Sequence, residues 1–149
     1  MSEFRTKNFA LHEFTRSGKA EKLGIDNTRL TADNVSSIAN LIVHVLQPVR
    51  EQLDFPMTVT SGFRCEELNE AVGGSSNSQH KYGEAADIQC FTGGKFDVKK
   101  TRKVFAALCE MDVDQLLYER DSKGSIWVHV SYKNPEENRH IIRDNYIAN

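Results

Sequence analysis

The residues from Ser61 to Asp87, SGFRCEELNEAVGGSSNSQHKYGEAAD, together with the remote His129 in IWVHVSY, set the tightest limit on how this chain can fold. His80 and Asp87 lie seven positions apart and can face a common point only if the backbone reverses between them, for which Tyr82-Gly83 is the natural place. Asp87 falls inside a strand-like run, EAADIQC, and His129 in a second, apolar one. Two imidazoles and one carboxylate suit a zinc ion with one coordination position left open. A water in that position would have its pKa lowered to about 7, so the pattern points to hydrolysis.

The segments around these residues carry a resemblance. SGFR, NSQH, HKYGEAAD and WVH resemble the signature of the zinc D-Ala-D-Ala carboxypeptidases and dipeptidases, whose fold is shared with the hedgehog signalling domain and with phage cell-wall endopeptidases. The family motif Ser-x-His-x-x-Gly-x-Ala-x-Asp is matched in full by Ser78, His80, Gly83, Ala85 and Asp87. More loosely the likeness runs from FALHEFTRS to NPEENR, closest to the compact phage-type branch. It implies Zn2+ held by His80, Asp87 and His129, a peptidoglycan stem peptide as substrate, and Ser78 facing that substrate. It also implies a single metallopeptidase domain over 1–149, with residues 1–30 as an N-terminal brace and 31–149 as catalytic core.

The totals fit a single soluble domain. A chain of 149 residues is long enough for one core, and a net charge of -2 with no basic run excludes a nucleic-acid surface. Cys65, Cys90 and Cys109 are an odd set without metal-type spacing, and are read as reduced thiols, with Cys90 and Cys109 as small buried hydrophobes. The opening residues hold no apolar stretch of signal-peptide length and no segment could span a bilayer. The expectation is a monomer made in the cytoplasm without a signal peptide, with no membrane partner, reaching cell wall after release or export by another factor.

Periodicity gives the elements. Leu11, Phe14 and Leu23 are expected to cap one side of the core, with His12 at the surface. Val35, Ile38, Ile42, Val45 and Val49 recur at helical spacing behind Thr31 or Asp33 as cap, with His44 off the stripe and Pro48 bending or ending the helix. Met57–Thr60 alternates as a strand that delivers Arg64 near its end, CEELNEAV is a short helix stopped by Gly73 and Gly74, and Asp97 caps a helix over 98–111. DQLLYE and SIWVHVSY form a β-hairpin, and a short helix after Pro135 closes the chain, with His140 structural. The fold class expected is α+β, a central antiparallel sheet flanked by helices.

The remaining chemistry falls to four residues. Arg64 can polarise the scissile carbonyl, steady an oxyanion or hold a carboxylate, and Trp127, on the face of His129, joins Ser78 in substrate binding. Many relatives place an acid three positions before the last histidine, where this chain has Ile126. Glu119 is the substitute general base, provided the hairpin register sets Leu117, Glu119, Trp127 and His129 on one face. The phage-type branch has a glutamate at the end of this same strand. Two alternatives remain open at this point: a non-haem iron oxygenase, whose usual His-x-Asp pair is tighter than this spacing, and a hedgehog-like zinc domain that binds cell wall or a protein partner without catalysis.

Overall fold

The computed structural model describes residues 3–148. Its first segment packs against the rest of the chain: Phe14 is fully buried, the helix α1 (Gly18–Leu23) turns Ala20 inward, and the buried Asn27 side chain spends both amide protons on the Thr15 and Phe63 carbonyls and accepts from the Cys65 amide. The Phe63 amide in turn donates to the Phe14 carbonyl. Leu23 was expected in the core but is exposed, because Ala20 makes the inward contact from this short helix.

Thr31 and Asn34 exchange side-chain and backbone hydrogen bonds at the start of α2 (Ala32–Leu41), a reciprocal cap worth about 1 kcal/mol. The helical run does not end at Pro48. A widened turn over Ile42–Leu46, in which the Gln47 amide reaches back five residues to the Ile42 carbonyl, leads into α3 (Gln47–Leu53). Pro48 thereby occupies the first turn of α3, where a missing donor costs least. Ile38, Leu41, Ile42, Val45, Leu46 and Val49 are all buried, each contributing about 1.5–3 kcal/mol by leaving water. His44 stays at the surface, stacked on Tyr132.

Next come β1 (Thr58–Ser61), α4 (Glu66–Ala71), β2 (Ala85–Gln89), a small hairpin of β3 (Phe91–Thr92) and β4 (Lys95–Phe96), and α5 (Val98–Leu108) capped by Asp97. Of the two glycines after α4, Gly73 takes the left-handed conformation that stops the helix (φ 74°), whereas Gly74 is needed for space, since a Cβ there would lie 2.2 Å from Asn69 Oδ1. The expected hairpin is present as β5 (Gln115–Arg120) and β6 (Ile126–Ser131). Cys65, Cys90 and Cys109 are free; Cys90 is fully buried, which pushes its thiol up to about 11, and Cys109 is half-buried.

The tail corrects the expected closing helix. Asn134 begins a single turn, His140 takes a left-handed backbone (φ 54°), and residues Ile141–Ile147 form a strand, β7, parallel to β5. The class is α+β, with one sheet in the order β1-β2-β6-β5-β7 that is antiparallel except for its last pair. Helices α2, α3 and α5 supply the core on one face of this sheet together with Ile88, Leu116, Tyr118, Val128 and Val130.

An ion pair between the buried Asp114 and the half-exposed Arg139 ties the tail to the loop that carries His80. Asp114 has no exposed surface; its oxygens accept from the Arg139 backbone amide (3.0 Å), Nε (2.9 Å) and Nη2 (2.7 Å), and from Gln79 Nε2 (3.0 Å). Burial pushes this carboxyl up, but the donors outweigh it and hold the pKa down to about 2. A depressed folded-state pKa gives stability that is full above the unfolded value, about 3.9, and is lost as the pH falls through the folded one. We expect Asp114→Asn to lower stability at pH 7 by about 1.5–2 kcal/mol in urea unfolding, because the charge-assisted hydrogen bonds from Arg139 are weakened while its half-exposed guanidinium stays solvated. Its loss of stability from about pH 4 to pH 2 should also be shallower than that of the unaltered protein; equal slopes would exclude Asp114 as the group responsible.

Candidate metal centre

The site is built on the sheet face opposite the helices. Period-two alternation and the pairings Ser61↔Asp87, Asp87↔His129 and Leu117↔His129 set these side chains in one row, and Glu119↔Trp127 starts a second row beside it. Glu119 therefore faces the same way as His129. Ile126 belongs to the alternate set and packs against the core. A carboxylate at position 126 would point away from the site in this register, whereas Glu119 lines the cleft.

His80 arrives from the other side of the cleft. Ser78 caps a tight helical turn over Gln79–Tyr82, its hydroxyl accepting from the His80 amide (3.3 Å), and Gly83 closes the turn at φ 80°. A side chain at Gly83 would be strained by that φ and would put its Cβ 2.8 Å from the Asn34 carbonyl oxygen. His80 Nδ1 lies 2.7 Å from the Gly62 carbonyl oxygen, so this nitrogen carries the proton and Nε2 is left as the free donor atom. That second hydrogen bond fixes both tautomer and ring orientation, as metal-binding imidazoles require.

The three donors converge. His80 Nε2 lies 3.4 Å and His129 Nδ1 3.0 Å from Asp87 Oδ1, and one ligand atom from each residue falls within 4.8 Å of the other two. His80 and Asp87 are buried and His129 nearly so. Two nitrogens and one oxygen at these separations, with a cleft on the open side, fit a zinc ion with a vacant coordination position. Burial pushes Asp87 up, but the flanking imidazoles dominate and hold its carboxyl well below the usual range, while burial pushes His80 down to favour its neutral form. For His129 burial also lowers the pKa, but the hydrogen bond to Asp87 wins and raises it.

Arg64 and Glu119 flank these donors. Arg64 donates from Nε to Ser61 Oγ (3.2 Å) and from Nη1 to Asn69 Oδ1 (3.2 Å), which leaves Nη2, 3.8 Å from Asp87 Oδ2, facing the site. Burial raises the Glu119 carboxyl above its ordinary pKa, with His129 opposing and Asp87 adding to the rise. The indole Nε1 of Trp127 is buried and makes no hydrogen bond at regular geometry, although it is close enough to Glu119 to favour its anionic form.

All seven residues singled out from the sequence line one cleft of about 820 Å³. Gln115, Asp121, Arg139 and Tyr146 also line it and were missed. Gln115 and Asp121 could have been found by extending the alternation of Glu119 along its strand; Arg139 and Tyr146 were hidden by reading the tail as a helix. His12 and His140 are exposed and stand apart from the site, and among the described residues no helix is long and apolar enough to cross a membrane.

Comparison with known proteins bears on this geometry. The Peptidase M15 family pattern matches residues 7–131, ending with β6. The zinc D-Ala-D-Ala carboxypeptidase of Streptomyces albus G is 49% identical over 53 residues, covering 34% of this chain and 21% of that protein. The match thus spans about a fifth of the relative's length.

Proposed function

This chain belongs to the peptidase M15 family of zinc metallopeptidases, and on that premise we propose that it hydrolyses peptidoglycan stem peptides as a D-Ala-D-Ala carboxypeptidase or endopeptidase. The observation that carries the reading is the meeting of His80, Asp87 and His129 donor atoms within 4.8 Å of one another. Membership of a peptidase family also displaces the iron-oxygenase alternative.

His80, Asp87 and His129 hold the metal. Zinc, when bound, supplies the Lewis acidity that polarises a carbonyl and acidifies a water. Glu119 takes a proton from the attacking water and returns it to the leaving amine, a role suited to a carboxyl whose pKa burial has raised towards the working pH. Arg64, pinned through two of its nitrogens, presents Nη2 to the developing oxyanion or to a terminal carboxylate of the substrate. Ser78 and the Trp127 ring are the groups that orient the peptide in the cleft. Burial of His80 and Asp87 keeps bulk water from these groups and strengthens their mutual attractions.

Mass spectrometry of isolated cell wall digested with the zinc-loaded protein tests this. New peptide termini that a chelator suppresses are expected, and they identify the bond cut. A digest indistinguishable from the untreated wall would overturn the proposal.

A further inference from the structure

The last strand carries one residue more than its partner. Opposite β5, Leu117 pairs with Arg143 but Glu119 pairs with Tyr146, so three steps along β7 match two along β5. In a regular ladder Asn145 would stand beside Glu119, and Tyr146 would point to the other face. The extra residue reverses that. Asn145 takes a left-handed backbone (φ 58°), a conformation that asparagine tolerates better than most residues.

This bulge is held from both sides. Asp144 points away from the cleft to a bidentate pair with Arg102 of α5, and Arg120 Nη2 donates to Asn145 Oδ1 at 2.7 Å. Beyond it, the Ala148 amide donates to the Arg120 carbonyl (2.9 Å). Tyr146 is left lining the cleft beside Glu119 and Trp127, 43% exposed, with a ring that can still bury surface against a ligand. Bulges beside active sites commonly re-aim a side chain in this way.

We propose that Tyr146 is a specificity-determining residue that packs its ring against the substrate residue on the amine side of the scissile bond. The inference rests on the proposed function: the leaving amine must come within reach of Glu119, so the group next to Glu119 in the same row meets the portion that departs. It extends the site past residue 131, where the family match ends, into the tail. Aromatic packing of this kind favours a leaving residue with a side chain over glycine.

The test compares two stem-peptide fragments, alike on the acyl side, that carry D-Ala or Gly on the leaving side. With D-Ala, Tyr146→Ala should raise KM about fivefold to tenfold and leave kcat within about twofold, while Tyr146→Phe keeps both. The preference for D-Ala over Gly should shrink with the alanine variant. Asn145→Val, which disfavours the left-handed backbone, should reproduce the KM change, and Asn145→Gly should not. Unaltered KM and preference in Tyr146→Ala, in a protein whose parent cleaves both fragments, would overturn the inference alone. So would a Tyr146→Phe variant as impaired as Tyr146→Ala. A parent protein that cuts isolated cell wall but neither fragment would overturn the inference alone, and one that cuts neither wall nor fragment would overturn the proposed function with it.

Discussion

His80→Ala should empty the metal site: zinc per protein, measured by elemental mass spectrometry after dialysis, is expected to fall to near zero, and hydrolysis with it. Removing an outer partner of a metal ligand typically weakens binding by about 10–100-fold, and here a ligand itself is lost. With Nε2 absent, Asp87 and His129 are left as two donors, too few for a tetrahedral site. A smaller effect comes from Nδ1, whose partner, the Gly62 carbonyl, is left without its donor at a cost of about 1–3 kcal/mol. His80→Gln, which keeps a polar side chain near that carbonyl, should recover part of the stability without recovering zinc. Full zinc occupancy in either variant would remove His80 from the ligand set.

Glu119→Gln should act on the reaction and spare the metal. The change keeps the size of a half-buried side chain facing the cleft while removing its ability to accept a proton. General acid-base groups contribute about 10²–10⁴-fold, so kcat for stem-peptide cleavage should drop by about a thousandfold. KM and zinc content should stay close to those of the unaltered protein, because the carboxyl is neither one of the three converging donors nor the anchor of Arg64. A fully active Glu119→Gln protein would transfer the proton role to another group. An inactive variant that has also lost zinc would instead make Glu119 part of the metal environment.

The sequence exposed most of the site because its geometry is local or strictly periodic. Ser78, His80 and Gly83 act within one tight turn, and alternation along a hairpin carries Glu119, Trp127 and His129 to one face once the register is known. Two features escaped for physical reasons. Pro48 normally signals a break, yet a single widened turn places it at the start of a new helical segment, where its missing amide proton does not matter. The tail after Pro135 is expected as a short closing helix, yet Ile141–Ile147 is a strand whose paired isoleucines show no clean alternation. Its pairing with β5 is parallel, and the left-handed His140 and Asn145 that shape it leave little mark on hydropathy. Tyr146 was lost together with the strand that presents it.

Asn27, through three hydrogen bonds to Thr15, Phe63 and Cys65, clamps the backbone on both sides of Arg64, while Phe14 grips the amide next to the carbonyl that holds His80. Among the described residues before position 31 none lines the cleft, yet Phe14 and Asn27 hold the backbone that carries Arg64 and the Gly62 carbonyl. Trimmed of them, the chain would still spell out its motif, but its imidazoles would meet the ion with the play of a hinge that has lost its pin.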